Sequence, residues 1–259
     1  MEDLTEAYEN GAYIPGADKY RSRWPQDAAA FRACHDVQEL PGFCAGSRRA
    51  VDMVRPDGAA QGTVIFVHGG YWRAMSRGDW THLAAGALAQ GWAMALPGYD
   101  LCPNVRISDI THQVAEAVQA IAAATSGPIV LVGHSAGGHL VARMLAPGML
   151  PTSLHQRLQR VVPISMLSDL RPLMQTAMNA DLALDPVEAA AESPVFQPKP
   201  DCAVRLWVGG DERPAFLDQT RWLAEAWKAP MRIAEGRHHF DVIDALQNPK
   251  SDMIEDLLG

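Results

Sequence analysis

Short apolar runs rich in β-branched residues punctuate this chain, separated by segments whose apolar positions recur every three to four residues. Near-continuous apolar runs fit strands buried on both faces, whereas the three-to-four period marks amphipathic helices. On that basis strands are predicted over 49–54, 63–67, 92–96, 129–132, 161–165, 204–208 and 231–233. Helices are predicted over 78–90, 107–124, 136–145, 215–227 and 240–246, with a last short one near 251–258. In the 107–124 segment Ile110, Val114, Ala117, Val118 and Ile121 share one face, Ser108-Asp109-Ile110-Thr111 reads as its opening cap, and Gly127-Pro128 stops it. Strand and helix alternate, which predicts an α/β fold: a mostly parallel central sheet with helices on both faces.

Two segments break the alternation. Residues 1–46 carry Tyr8, Tyr13, Tyr20, Trp24 and Phe31 among prolines and glycines, and 167–200 are interrupted by Pro172, Pro186, Pro194, Pro198 and Pro200. Excursions of this kind in α/β folds cover the C-terminal edge of the strands, where ligands bind. Both are read as small cap elements of a single domain spanning 1–259.

Composition narrows the function. A chain of 259 residues, 48% hydrophobic, supports one large core. A net charge of −8, with no basic run longer than Arg48-Arg49, argues against a nucleic-acid partner. The start, Met1-Glu2-Asp3-Leu4-Thr5-Glu6, lacks the basic and apolar parts of a signal peptide, and no apolar stretch has membrane-spanning length. Cys34, Cys44, Cys102 and Cys202 are scattered without metal-ligand spacing, as in a cytoplasmic protein with reduced thiols. Neither a metal nor an organic cofactor is expected. The expected partner is a small-molecule acyl substrate, a membrane is not, and a homodimer stays open.

Two motifs carry the chemistry. Gly133-His134-Ser135-Ala136-Gly137 follows the run 128–132 and has the form G-x-S-x-G, a strand-to-helix turn tight enough to need small residues around the serine. Such a turn lifts the Ser135 hydroxyl from the strand end toward a substrate carbonyl. Taken alone, the glycines fit a close strand–helix contact with no chemistry. Upstream, however, His68-Gly69-Gly70-Tyr71-Trp72 follows the run 63–67 and resembles the H-G-G loop that offers backbone N–H groups to the oxyanion in α/β-hydrolases. Order and context together favour serine-dependent acyl transfer.

In that fold the acid and then the histidine follow the serine. His139 lies one turn along the predicted helix, suited to local packing, and His155 precedes a strand at the wrong end of the sheet. His238-His239-Phe240-Asp241 follows the last strand, with His239 favoured as the base and His238 as its neighbour in the pocket wall. The acid belongs in Gly209-Gly210-Asp211-Glu212-Arg213-Pro214. Glycine spacing leans to Glu212 over Asp211, and the other carboxylate then serves as a solvated turn residue. Tyr71, Trp72, Tyr99 and Met166 are candidates for an aromatic-accepting wall beside Gly69, although buried aromatics are more often plain core.

These residues resemble the kynurenine formamidase (arylformamidase) branch of the α/β-hydrolases. The resemblance rests on H-G-G-Y-W at 68–72, Gly133 to His139, Pro214-Ala215-Phe216 with Gln219, His239-Phe240, and Tyr13-Ile14-Pro15-Gly16-Ala17 near the start. It implies Ser135 as nucleophile, His239 as base, and oxyanion N–H groups from Gly70, Tyr71 and Ala136. Animal members carry an aspartate in the acid turn, where this chain offers adjacent Asp211 and Glu212. The implied activity is cleavage of a formamide in N-formylkynurenine-like substrates. The alternatives are a carboxylesterase or thioesterase of short acyl groups, another amidase or imidase, and a non-catalytic binding homologue.

Overall fold

The computed structural model describes residues 3–259. Its sheet has eight strands: β1 (Val37–Glu39), β2 (Val51–Val54), β3 (Thr63–Val67), β4 (Ala93–Pro97), β5 (Ile129–His134), β6 (Leu158–Ile164), β7 (Leu206–Gly209) and β8 (Met231–Ala234). Across the sheet they run β1-β2-β4-β3-β5-β6-β7-β8. The first two pairings are antiparallel and those from β4 to β8 are parallel. Alternation along the central strands feeds two cores. Ile65, Val67 and Leu131 face one, while Val64, Phe66, Val130 and Val132 face the other. Burial on both faces is why these strands read as continuous apolar runs.

Helix Ile107–Ala124 covers the first face, burying Ile110, Val114, Ala117, Val118 and Ile121. It opens one residue before the expected cap. Asp109 accepts the Arg106 N–H at 2.9 Å, and Ser108 instead donates to Glu188 at 2.8 Å. Two predicted helices differ in form. Residues 78–90 divide into 3₁₀ turns Arg77–Asp79 and Thr81–Ala84 and a short helix, Ala85–Ala89, while 240–246 become a 3₁₀ segment, Val242–Gln247. The two segments pack against each other so closely that a Cβ on Gly86 would sit 2.2 Å from the Leu246 carbonyl.

The N-terminal excursion holds a helix, Ala17–Cys34, that runs through Pro25. Proline disrupts a helix interior, since it removes a backbone donor. Yet Trp24, Ala28 and Phe31 are buried at helical spacing while Pro25 stays on the solvent side, so packing of that stripe outweighs the lost bond. β1 also arises here, as a three-residue edge strand too short to show a period. The second excursion comprises short helical pieces at Arg171–Gln175, Asn179–Leu182, Pro186–Ala191 and Pro194–Phe196. The two excursions meet: Leu4 N–H donates to Gln175 O at 2.9 Å, and Ala177 N–H to Thr5 Oγ at 2.8 Å. No helix among the described residues is long and apolar enough to cross a membrane.

Candidate active site

Parallel strands deliver the loops after β3, β5, β6, β7 and β8 to one edge of the sheet. Between β5 and helix Ala136–Arg143, Ser135 adopts φ +56° and ψ −120°, a conformation an L-residue rarely holds. Close packing explains the flanking glycines. A Cβ on Gly133 would lie 2.2 Å from Gly137 O, and one on Gly137 would lie 2.0 Å from Val67 O. The small residues therefore let the helix start directly on β3 and β5, with Ser135 at its N-terminus.

The loop after β3 turns through Gly70 (φ +109°), Tyr71 (φ +51°) and Trp72 (φ +56°). The N–H groups of Gly70, Tyr71 and Ala136 find no acceptor among the described residues. Ala136 is the first residue of its helix, where the backbone N–H has no intrahelical partner. Tyr71 donates its hydroxyl to Tyr8 O and accepts from Asn10 Nδ2 at 3.1 Å. Burial holds that phenol well above the ordinary range, so it stays protonated.

Of the two carboxylates after β7, Glu212 is the one set against a histidine. Its Oε2 lies 2.6 Å from His239 Nδ1, and Oε1 accepts the Gly209 N–H at 2.7 Å and the Ser165 hydroxyl at 2.5 Å. Asp211 is exposed, its backbone N–H spent on Arg237 O. His239 is buried, with the Phe216 ring at 4.4 Å and the His134 ring at 4.6 Å between centroids. Burial, with His239 adding to it, drives the His134 imidazole well below the usual histidine range and keeps it neutral. Ser135, His134 and His239 line one cavity of about 470 Å³, together with Gly69, Gly70 and Tyr71. No hydrogen bond joins Ser135 Oγ to His239 among the described residues. A buried carboxylate–imidazole pair beside a serine on a raised turn can deprotonate that serine and later return the proton.

The cavity wall differs from the one expected. Trp72, Tyr99 and Met166 are fully buried and do not line it. Trp72 packs edge-on to His139 at 5.1 Å, and the Tyr99 ring stacks on His68 at 4.3 Å beneath the loop. Met166 meets Gly138 under the helix. His238 also lies outside the wall, its ring against Tyr20 at 5.0 Å. Tyr71 and Gly69 do line the cavity; the rest of its aromatic lining comes from Trp24, Trp80, Phe240 and Tyr8, with Met75 beside them. Trp24 stands 4.8 Å from Trp80 and 5.1 Å from Phe240 between ring centroids. Its signal was the 24, 28, 31 spacing, masked by Pro25. His139, expected to pack locally, has Nε2 2.7 Å from Glu192 O. Gln219 proves to be a buried hub: its Oε1 accepts the Ser168 and Asp169 N–H groups at 2.7 Å each, and its Nε2 donates to Tyr8 Oη at 2.9 Å. Among the described residues no group of three acidic, histidine or cysteine side chains is placed to hold a metal.

Comparison with known proteins bears on the fold and the family. Residues 64–249 match the alpha/beta hydrolase family. Kynurenine formamidase of Salmo salar is 27% identical over 199 residues, covering 71% of this chain and 67% of that one. The Drosophila melanogaster kynurenine formamidase is 26% identical over 208 residues, covering 73% and 69%. A solved protein of Silicibacter sp. tm1040 that carries a provisional thioesterase name is 50% identical across the full length of both chains, with a TM-score of 0.97. An esterase of Pyrobaculum calidifontis shares the fold, with a TM-score of 0.69 at 17% identity over 89% of this chain and 88% of that one. By its matched residues and its strand order, this chain belongs to the alpha/beta hydrolase family and is kynurenine formamidase-like within it.

Proposed function

We propose that the protein is a serine hydrolase that cleaves a formamide or short-acyl ester bond, with N-formylkynurenine-like aryl formamides as the first substrate class. The observation that carries the reading is the Glu212–His239 contact of 2.6 Å in the same cavity as Ser135 on its strained turn. In the cycle, His239 takes the Ser135 proton as Oγ bonds to the acyl carbon. The carbonyl oxygen gains the negative charge and is met by the N–H groups of Gly70, Tyr71 and Ala136. Removing one such donor typically costs on the order of 100-fold in rate. Collapse of the tetrahedral intermediate breaks the C–N or C–O bond, and His239 passes its proton to the leaving nitrogen or oxygen. Water then attacks the acyl-serine by the same relay. Glu212 holds the imidazole in one tautomer and stabilises its charged form.

The aromatic lining of Trp24, Trp80 and Phe240, together with the formamidase relatives, supports an aryl leaving group. A second reading, an esterase or thioesterase of short acyl groups, draws on the name of the 50% identical solved protein. Relative kcat/KM on N-formylkynurenine, p-nitrophenyl acetate and a short-acyl thioester separates the two. The first reading expects the formamide to lead, and a lead by the thioester replaces it. Labelling of Ser135 by a fluorophosphonate, lost in Ser135→Ala along with turnover, distinguishes both from a non-catalytic binding protein. Substantial turnover by Ser135→Ala overturns the serine mechanism.

A further inference from the structure

Tyr71 is a bulky residue at φ +51°, followed by Trp72 at φ +56°, on the loop whose Gly70 and Tyr71 N–H groups find no acceptor among the described residues. Such conformations persist only where the surroundings over-determine them. The side chain of Tyr71 supplies a constraint unrelated to catalysis by the hydroxyl itself. It donates to Tyr8 O and accepts from Asn10 Nδ2 at 3.1 Å, both partners belonging to the N-terminal segment. Asn10 is itself buried.

Tyr8 is fixed in turn. Its ring meets Phe216 edge-on at 6.1 Å, and its hydroxyl accepts from Gln219 Nε2 at 2.9 Å. Phe216 also packs on His239, at 4.4 Å between centroids. A continuous set of contacts therefore runs from the helix beside the histidine, through Tyr8, to the Tyr71 hydroxyl. We propose that Tyr8 and Asn10 are positioning residues: through the Tyr71 phenol, the N-terminal segment holds the strained loop so that the Gly70 and Tyr71 N–H groups point at the developing oxyanion. This rests on the serine hydrolase reading above. Without the clamp the loop relaxes toward negative φ, which rotates those N–H groups away. The donors are backbone groups that no side-chain truncation removes, so the clamp is the place to test them.

Tyr71→Phe removes both hydroxyl contacts and keeps the ring. Asn10→Ala removes one donor from the other side and leaves the phenol. Each is measured in the full chain on the best of the three substrates above. The clamp predicts that Tyr71→Phe lowers kcat/KM roughly 10- to 100-fold, the scale of a misplaced catalytic donor. The loss falls in kcat, with KM within about twofold, and Asn10→Ala gives a smaller loss of the same kind. Phenyl trifluoromethyl ketone, which forms a tetrahedral oxyanion on the serine, weakens by the same factor in each variant, while binding of an aryl amine product is unchanged. A merely structural contact lowers the unfolding temperature without this selective loss. Unchanged kcat and ketone affinity in Tyr71→Phe overturn the proposal. Should that variant fail to fold, Asn10→Ala decides by the same two readouts. Persistent turnover by Ser135→Ala would instead remove the hydrolase reading, and that result is independent of the clamp.

Discussion

The two strained turns beside the cavity are stabilised in opposite ways. The turn at Ser135 is set chiefly by its immediate neighbours: Gly133, Gly137 and Gly138 sit within a few residues of it, and absent side chains let β5, its helix and β3 touch, with one distant bond from the Ser135 N–H to Ile164 O at 2.8 Å. The turn at Tyr71 and Trp72 depends on distant groups. Tyr8 and Asn10 hold the phenol, His139 packs against Trp72, Cys102 N–H donates to Trp72 O at 2.9 Å, and Arg73 pairs with Asp181 at 2.6 Å. A turn fixed by missing atoms can be written in six consecutive letters. A turn fixed by partners has its instructions spread over the chain, and disturbing those partners should alter activity before it alters the fold.

The largest effect should come from adding a single methyl group to the turn at Ser135. Gly137→Ala drives a Cβ to 2.0 Å from Val67 O, at the end of the central strand β3, and should yield no cooperatively folded protein by thermal melting or circular dichroism. The matching change in the other turn, Gly70→Ala, meets Ala74 O at 2.4 Å and demands φ +109°. It lies outside the sheet, so the melt should survive while turnover is lost. Equal effects on folding would erase the contrast.

The acid turn offers a third test, next in size. Glu212→Gln keeps the shape but favours the wrong histidine tautomer, and should lower kcat on the order of 10⁴-fold, the scale found for such a change in a well-studied triad. Asp211→Asn, at an exposed side chain, should change kcat by less than about twofold. Ser165, buried and at φ +50°, donates to the same carboxylate. Ser165→Ala should fall between these two.

Acid should weaken both turns together. His68 starts one loop and His139 lies in the other turn's helix, while His82 is buried in the 3₁₀ turn Thr81–Ala84. Burial lowers all three to about 4 from an unfolded value of 6.5. Between those pH values the unfolded chain binds protons that the folded chain refuses, so their contribution is complete above pH 6.5 and is lost as pH falls toward 4, levelling out below it. Each histidine adds a slope of up to about 1.4 kcal/mol per pH unit in that window. Urea unfolding at pH 7 and pH 5 should show the loss, and His139→Gln should flatten it by one proton's worth. The smallest effect is expected of Arg73→Ala. Its bridge to Asp181 is partly exposed, with side-chain accessibilities of 32% and 48%, and is worth less than about 1 kcal/mol. A change in kcat as large as that of Tyr71→Phe would mean that the cap bridge, rather than the phenol, holds the loop.

Much of this was legible in the sequence. The apolar runs of β3 and β5, the face of helix Ile107–Ala124, and the glycines around Ser135 reflect steric and burial rules that act within a few residues, and they appear as spacing. Glycine spacing also pointed to Glu212, though only the structure sets that carboxylate against His239 and leaves Asp211 in solvent. Most of the pocket wall was not legible, Gly69 and Tyr71 apart. Trp72 lies within the first motif, and Tyr99 and Met166 just past the ends of β4 and β6, yet all three pack beneath the site, while Trp24, Trp80 and Phe240 come from three separated segments. By itself the sequence determined the layered parallel sheet and the serine turn, because backbone sterics and the burial of alternate residues are local. Which side chains surround that turn, and the Tyr8–Tyr71 contact between the N-terminal segment and the loop after β3, were decided only by the tertiary structure, because they depend on how faces from distant segments pack together.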